Sequence, residues 1–461
     1  MNALLDELRA AGLRVNSRLE GVDPGWNPAN LDAGVMILPN STAEVAAALR
    51  ACHRHGVAVV PQGGRTGLVG GSVSHPGEVI LSLERMNRIE RLDPTERVAV
   101  VEAGVTLEAL QTAAAALGLE PVFDLGARGG ATIGGMASTN AGGVMAFRNG
   151  VMRHRVLGLE AVLADGEVYS DLTRVVKTTA GFDLKHLFIG GEGSLGIITR
   201  VAVKLDPAPR ATATALFGLP SVAAALAVVA HALATEGGRL RAAEAMWRPY
   251  LAMNAAAQGW HEPAIELSQP IFLLLSLGGA EEEPLRAAFT DIFSLAAGSY
   301  PDASGIVASS ARQERELWLL REDTAILYRA YPGAPSYDVS VPISEIDGYV
   351  QRAARELEAR GDGLAPFVFG HIADGNLHFV FNHAGPFDEA TAAAVEDILY
   401  RDLAALGGSF SAEHGVGSKR VHSLAATADP GKLRAMDKIK RALDPTGILN
   451  PGKVRPAASA R

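Results

Sequence analysis

Three glycine-rich segments constrain this chain more than any other feature of it. They are Pro61-Gln-Gly-Gly-Arg-Thr-Gly-Leu-Val-Gly-Gly-Ser-Val73, Asp124-Leu-Gly-Ala-Arg-Gly-Gly-Ala-Thr-Ile-Gly-Gly-Met-Ala-Ser-Thr-Asn-Ala-Gly-Gly143 and Gly190-Gly-Glu-Gly-Ser-Leu-Gly-Ile-Ile198. A glycine loop leaves backbone N–H groups open to an anion with no Cβ in the way, and a pyrophosphate is the natural occupant. Glycine supplies 50 of the 461 residues, above the roughly 7% of average usage. Three such loops close together in sequence are poorly explained as flexible turns. Gly191-Glu-Gly-Ser-Leu-Gly196 matches the dinucleotide fingerprint by letter only. That fingerprint needs a helix after it and an acid about 20 residues on. Here Ile197–Val203 is strand-like, and the region near Thr212 begins another strand. No loop closes with the Gly-Lys-Ser/Thr of a Walker A motif.

The length allows roughly three domains of about 150 residues, or two large ones. With 42 Lys and Arg against 51 Asp and Glu, the net charge of −9 argues against a nucleic-acid partner. The single cysteine, Cys52, excludes an intramolecular disulfide and a cysteine metal cluster. No apolar run reaches the ~18 residues of a transmembrane helix, and the amphipathic N-terminus lacks a signal-peptide core. The expected location is the cytoplasm. Strand-like and helical segments alternate with the glycine loops through residues 1–207, and the prolines of Asp206-Pro-Ala-Pro209 mark a boundary. Residues 208–425 carry strands at Thr212–Gly218 and Ile271–Leu277, a helix at Ser221–Glu236 and a long charged helix over Ser309–Ala330. Residues 426–461 form a helical tail.

The richest chemistry lies in Gly370-His-Ile-Ala-Asp-Gly-Asn-Leu-His-Phe379. Two strand-like runs flank an Asp-Gly turn, so a hairpin returns His378 close to His371. Ser411-Ala-Glu-His-Gly-Val-Gly417 adds a Glu-His pair in a glycine-rich loop. His371, His378 and Glu413 offer two imidazoles and a carboxylate, which suits Zn²⁺, or Mn²⁺ or Fe²⁺, with a position open for substrate.

The order of these motifs resembles the FAD-linked D-2-hydroxy acid dehydrogenases, the family of D-lactate and D-2-hydroxyglutarate dehydrogenases and the glycolate oxidase flavin subunit. The resemblance covers nearly the whole chain. It implies an α+β fold, with a vanillyl-alcohol oxidase/PCMH-type FAD-binding domain and an α+β substrate (cap) domain built on an antiparallel sheet. It implies that Gly63, Gly64, Arg65, Thr66, Gly67, Leu68 and Ser72 surround the pyrophosphate. Thr132, Gly134, Gly135, Thr139, Asn140, Gly142 and Gly143 would line the adenine–ribityl path. Glu192, Gly196 and Ile198 would support the flavin, joined by Asn376 and Asn450. Covalent flavoproteins of this type carry His or Cys at the attachment point; Arg65-Thr66 stands there, so FAD is expected to be non-covalent. His414 would be the base and Arg321 the substrate-carboxylate ligand. The substrate hydroxyl, acidified by the cation, gives its proton to His414, and C2 delivers hydride to flavin N5.

Two departures bear on substrate. Members that take 2-hydroxyglutarate resemble this chain but carry Lys where Ser336 stands and Asn where Val380 stands. A second carboxylate would lose a cation and an amide donor here, so a small or apolar side chain is expected, as in D-lactate or D-mandelate. The alternatives are a D-2-hydroxyglutarate or D-malate dehydrogenase, with Lys419 or Arg420 reaching the distal carboxylate, and the flavin subunit of a glycolate oxidase complex. Without iron–sulfur cysteines, electrons would leave for a quinone, an electron-transfer flavoprotein or a partner chain; a homodimer is compatible with the sequence.

Overall fold

A computed structural model of the chain describes residues 1–455. Two compact units are present. The first comprises Met1–Gly143, Asn149–Ala208 and the described residues from Glu413 to Arg455; the second comprises Val144–Arg148 and Pro209–Ala412. The first boundary falls at the expected proline pair. The second does not: residues 413–425, expected in the substrate domain, belong to the first unit. Their backbone is held there, with the Ser418 and Lys419 N–H groups both donating to the Val69 carbonyl at 3.1 Å. The short loan of Val144–Arg148 to the second unit was also unforeseen. Phe147 packs on that unit's core, and Arg148 donates to the Leu240 carbonyl at 3.3 Å.

The first unit holds two main sheets. In one, Val59–Gln62 runs parallel to Val79–Ser82, which in turn pairs in parallel with Met36–Ile37. The other is antiparallel, in the order Ile89–Asp93, Val98–Glu102, Ile197–Lys204, Val156–Val162, Val168–Asp171. Val79–Ser82 and Val98–Glu102 are buried at every position, which is why each begins as an apolar run rather than alternating, before ending in Ser82 and Glu102. The helix Thr42–His55 starts on the Ser41 side chain, which accepts from the Glu44 N–H, and stops at Gly56 in the left-handed region.

The second unit is built on one seven-stranded antiparallel sheet. Its strands are β1 (Ala211–Leu219), β2 (Arg239–Trp247), β3 (Ile271–Gly279), β4 (Ser304–Val307), β5 (Ser336–Ser340), β6 (Pro366–His371) and β7 (Asn376–Phe381), in the order β4-β1-β3-β2-β6-β7-β5. Period-two alternation divides its side chains. Leu273, Leu275, Val339, Phe379 and Phe381 enter the core shared with helices Val222–Ala234, Glu282–Ser299 and Ile346–Ala359. Met246, Phe272, Leu274, Phe369 and Val380 face the opposite way and pack with Leu317 and Leu320 of helix Ala311–Glu322. The long helix expected over Ser309–Ala330 is instead two, Ala311–Glu322 and Ala325–Ala330. Asp323, at φ −78° and ψ 66°, leaves the helical region between them.

Candidate active site

The three glycine segments converge in the first unit, and the convergence needs glycine. A Cβ on Gly63 would stand 2.2 Å from Thr132 Oγ1, and one on Gly64 would stand 1.7 Å from the Gly130 carbonyl oxygen, so the first segment lies directly on the second. A Cβ on Gly193 would meet Pro61 at 2.4 Å, and the Glu192 N–H donates to the Ser138 carbonyl at 2.8 Å. The third segment therefore rests on both others. Asn450 ties it to the first, its Nδ2 donating to the Glu192 carbonyl at 2.8 Å and to that of Gly71 at 3.1 Å.

Not every residue of the expected cradle presents its side chain freely. Arg65 has φ 54°, and its Nε donates to the Asp23 carbonyl at 2.9 Å. Thr66 lies against Gly130, and the Leu68 carbonyl accepts from Lys419 Nζ at 2.8 Å. Ser72 contributes its carbonyl to Gln62 Nε2 at 2.8 Å. Thr132 caps the helix Ile133–Thr139 by accepting from Gly135, while Thr139 bonds back to the Gly135 carbonyl. Asn140 ends that helix at φ 56° and accepts from the Arg153 N–H. Gly134 permits close packing on Ala103, and Gly196 on the Phe188 ring; Ile198 is buried in the same core. Gly142 precedes Gly143, whose φ of 99° and close approach to the Asp124 carbonyl both require glycine. The Gly143 N–H donates to Glu413 Oε1 at 2.7 Å. Glu192 turns its buried carboxylate to the same returning loop, accepting from Val416 N–H at 2.7 Å and Gly417 N–H at 2.8 Å. Burial raises its pKa, opposed by those two N–H groups.

In the second unit the polar residues interrupt the apolar alternation on one face of the sheet. His378 and Val380 project from β7 on the face of Phe369 and His371 on β6, as alternation predicts. The His371 and His378 rings lie 5.6 Å apart at 84°, so the hairpin does bring the two imidazoles together. Ser336 on β5 is the register partner of Val380, and Asp338 that of His378. The two departures from the diacid pattern are thus cross-strand neighbours. Tyr328 is hydrogen-bonded to Ser336. Asp338 Oδ2 accepts from the Ala412 N–H at 2.9 Å, which fixes the residue covalently joined to Glu413.

Sequence reasoning missed Glu244. It is fully buried on β2; Oε1 lies 2.7 Å from His371 Nδ1 and Oε2 2.7 Å from Arg321 Nη2. A carboxylate taken out of water needs such partners. Its signal was available: Ala242-Ala-Glu-Ala-Met246 places one charge in an otherwise apolar strand. Arg321 is further fixed over the Phe369 ring at 4.8 Å, and its carbonyl accepts from the Tyr250 hydroxyl at 2.6 Å. Burial pushes the Tyr250 phenol up to about 12, so it remains a neutral donor.

The family comparisons divide the chain near residue 208. Residues 208–454 match the C-terminal domain of FAD linked oxidases, and residues 33–171 match an FAD binding domain. Bovine (Bos taurus) mitochondrial D-2-hydroxyglutarate dehydrogenase is 37% identical over 92% of this chain and 77% of its own length. The chain belongs to the FAD-linked D-2-hydroxy acid dehydrogenases. A putative mitochondrial D-lactate dehydrogenase of Schizosaccharomyces pombe is 32% identical over 95% of this chain and 87% of its own. The crystal structure of p-cresol methylhydroxylase shares the fold, with a TM-score of 0.74 at 19% identity over 100% of this chain and 98% of that one.

An FAD-linked dehydrogenase must have room and hydrogen-bonding capacity at its cradle. Gln62 Oε1 and Asn450 Oδ1 are buried acceptors with no hydrogen-bond partner on the converging loops, and a Cβ on Gly67 would meet nothing within 4 Å. Arg65 adopts a left-handed φ between glycines, a conformation that anion-binding loops use. Those features fit FAD. The donor set of two imidazoles and a carboxylate fits a divalent cation, and Glu244 occupies His371 Nδ1, which directs Nε2 to any metal.

Proposed function

We propose that this chain oxidises a D-2-hydroxy acid to the 2-oxo acid with non-covalent FAD and a divalent cation, Zn²⁺ ahead of Mn²⁺ or Fe²⁺, on His371, His378 and Glu413. His371 and His378 stand together on one hairpin, and a carboxylate such as that of Glu413 completes a donor set of metal-ligating type. The observation that carries the reading is the Glu244 bridge. One buried carboxylate orients a metal-type histidine and an arginine together, an arrangement that suits a chelating hydroxy acid.

Bound FAD supplies the hydride acceptor, and a bound cation supplies charge that acidifies a hydroxyl. Arg321 would bind the substrate carboxylate through its planar guanidinium. His414 would take the hydroxyl proton at a ring nitrogen, as a positioned general base. Phe369 and Val380 keep water from this face. Asn376 anchors the hairpin through Nδ2 to the Val339 carbonyl at 3.1 Å, and its buried Oδ1, with no hydrogen-bond partner among the described residues, would be open to a bound flavin. A quinone or an electron-transfer flavoprotein would be the electron acceptor.

For the substrate side chain we favour a small or apolar group. Ser336 and Val380 face one another in register, and Val380 packs with Phe369, Tyr328 and Tyr331. The second reading is a diacid, supported by relatives named D-2-hydroxyglutarate dehydrogenase. Lys419 offers it little, since its ammonium already donates to the Leu68 carbonyl and burial lowers its pKa. Anaerobic reduction of the flavin by a panel of D- and L-2-hydroxy acids tests the reading. Bleaching by D-lactate or D-mandelate ahead of D-2-hydroxyglutarate, with L-isomers inert, is expected. A clear lead for the diacid would overturn the side-chain assignment, and no bleaching by any of them would overturn the function.

A further inference from the structure

The flavin cradle and the base-bearing loop share one buried carboxylate. Glu192 sits in the third glycine segment at φ 49°, 8% exposed. Its two oxygens take separate N–H groups, Oε1 that of Val416 and Oε2 that of Gly417. These residues follow Glu413, His414 and Gly415 directly. Gly415, at φ 82°, passes so close that a Cβ there would stand 2.8 Å from Glu192 Oε1. The other end of the short loop is held by the Gly143 N–H on Glu413 Oε1. Glu192 is itself fixed, through the Asn450 amide on its carbonyl and through its own N–H on the Ser138 carbonyl. A carboxylate buried this deeply, with its oxygens spent on two consecutive main-chain N–H groups, holds a loop in one conformation rather than contacting a ligand.

We infer that Glu192 is a positioning residue for the reaction: it fixes residues 413–417 so that the His414 ring and the Glu413 carboxylate keep their working orientation. The inference rests on the proposed function, in which His414 is the base. It also assigns Glu192 a role beyond supporting the flavin. Asp cannot replace it in place, because a carboxylate one methylene shorter would have to drag the loop inward to keep both N–H groups.

The test uses the FAD-loaded enzyme and the anaerobic rate of flavin reduction per bound FAD. Glu192→Gln keeps the volume but turns an amide NH₂ toward one of the two N–H donors. Losing one charge-assisted hydrogen bond corresponds to a roughly 10- to 100-fold slower reduction. FAD content should stay near that of wild type, with KM for the hydroxy acid changed much less than kcat. Glu192→Asp should show the same signature with a smaller loss, and it serves as the second reading should the Gln variant fold poorly. A normal reduction rate per bound FAD in either variant, with the only defect in FAD content or Tm, would overturn the inference. Failure of the wild type to be reduced by any D-2-hydroxy acid would instead sink the function on which it rests.

Discussion

The cradle of the first unit and the polar face of the second solve their tasks with opposite parts of the chain. The cradle is made of backbone: its contacts are glycine Cα atoms, carbonyls and N–H groups, and several expected side chains, Arg65 and Thr139 among them, are occupied locally. The polar face is made of side chains standing on an antiparallel sheet, oriented by a fully buried carboxylate. A backbone site fails where an added Cβ meets the facing backbone, as at Gly64. A side-chain site fails at named residues and tolerates change between them.

Gly64→Ala should have the largest effect on that contrast. Its Cβ would collide with the Gly130 carbonyl, so the purified protein should carry little or no FAD in its absorbance spectrum. A fully yellow variant would mean that the two loops are not packed as described. Glu244→Gln comes next. It leaves Arg321 and His371 without their shared charge, and removal of such a partner typically costs about 10- to 100-fold in metal affinity or activity. Metal analysis and turnover should fall together while FAD remains; turnover unchanged would show that the bridge does not matter. The pair Ser336→Lys with Val380→Asn is smaller, shifting kcat/KM toward D-2-hydroxyglutarate over D-lactate by roughly tenfold, the value of about one charge-assisted hydrogen bond. An unmoved ratio would remove these two positions from the specificity argument.

The smallest expected effect is on stability in acid. Burial pushes the Glu160 carboxyl up, but hydrogen bonds from Arg200, Thr42 and Thr199 outweigh it and hold the group below its ordinary value. A depressed pKa stabilises the fold above the unfolded value near ~4.3 and is lost as pH falls through the folded value. Glu160→Gln should therefore flatten the fall in unfolding free energy below about pH 4.5, as read by denaturant titration at several pH values. The same slope in both proteins would show that Glu160 contributes nothing to it.

The contrast also explains what could be read in advance. Glycine runs announce a backbone site directly, so the three loops and the cofactor class were legible, as was the hairpin that pairs His371 with His378. Strand alternation placed Val380 beside His378, but only the register shows that Ser336 faces it. The boundary at 425 was misplaced because N–H groups of residues 416–419 donate to Val69 and Glu192, distant in sequence, and so hold this stretch in the first unit. Glu244 went unnoticed because its partners come from β6 and from a helix more than seventy residues away. The same holds for the grip of Gly143 on Glu413, which no local pattern encodes.

The separation of the two tasks is tested most directly by one variant read in two ways. His378→Ala should bind FAD in full, because the cradle takes nothing from that side chain, and its flavin should stay oxidised when D-lactate or D-mandelate is added anaerobically, under conditions that bleach the wild type. Reduction at the wild-type rate would contradict the metal-assisted chemistry, and loss of FAD along with activity would contradict the division between a backbone cradle and a side-chain face.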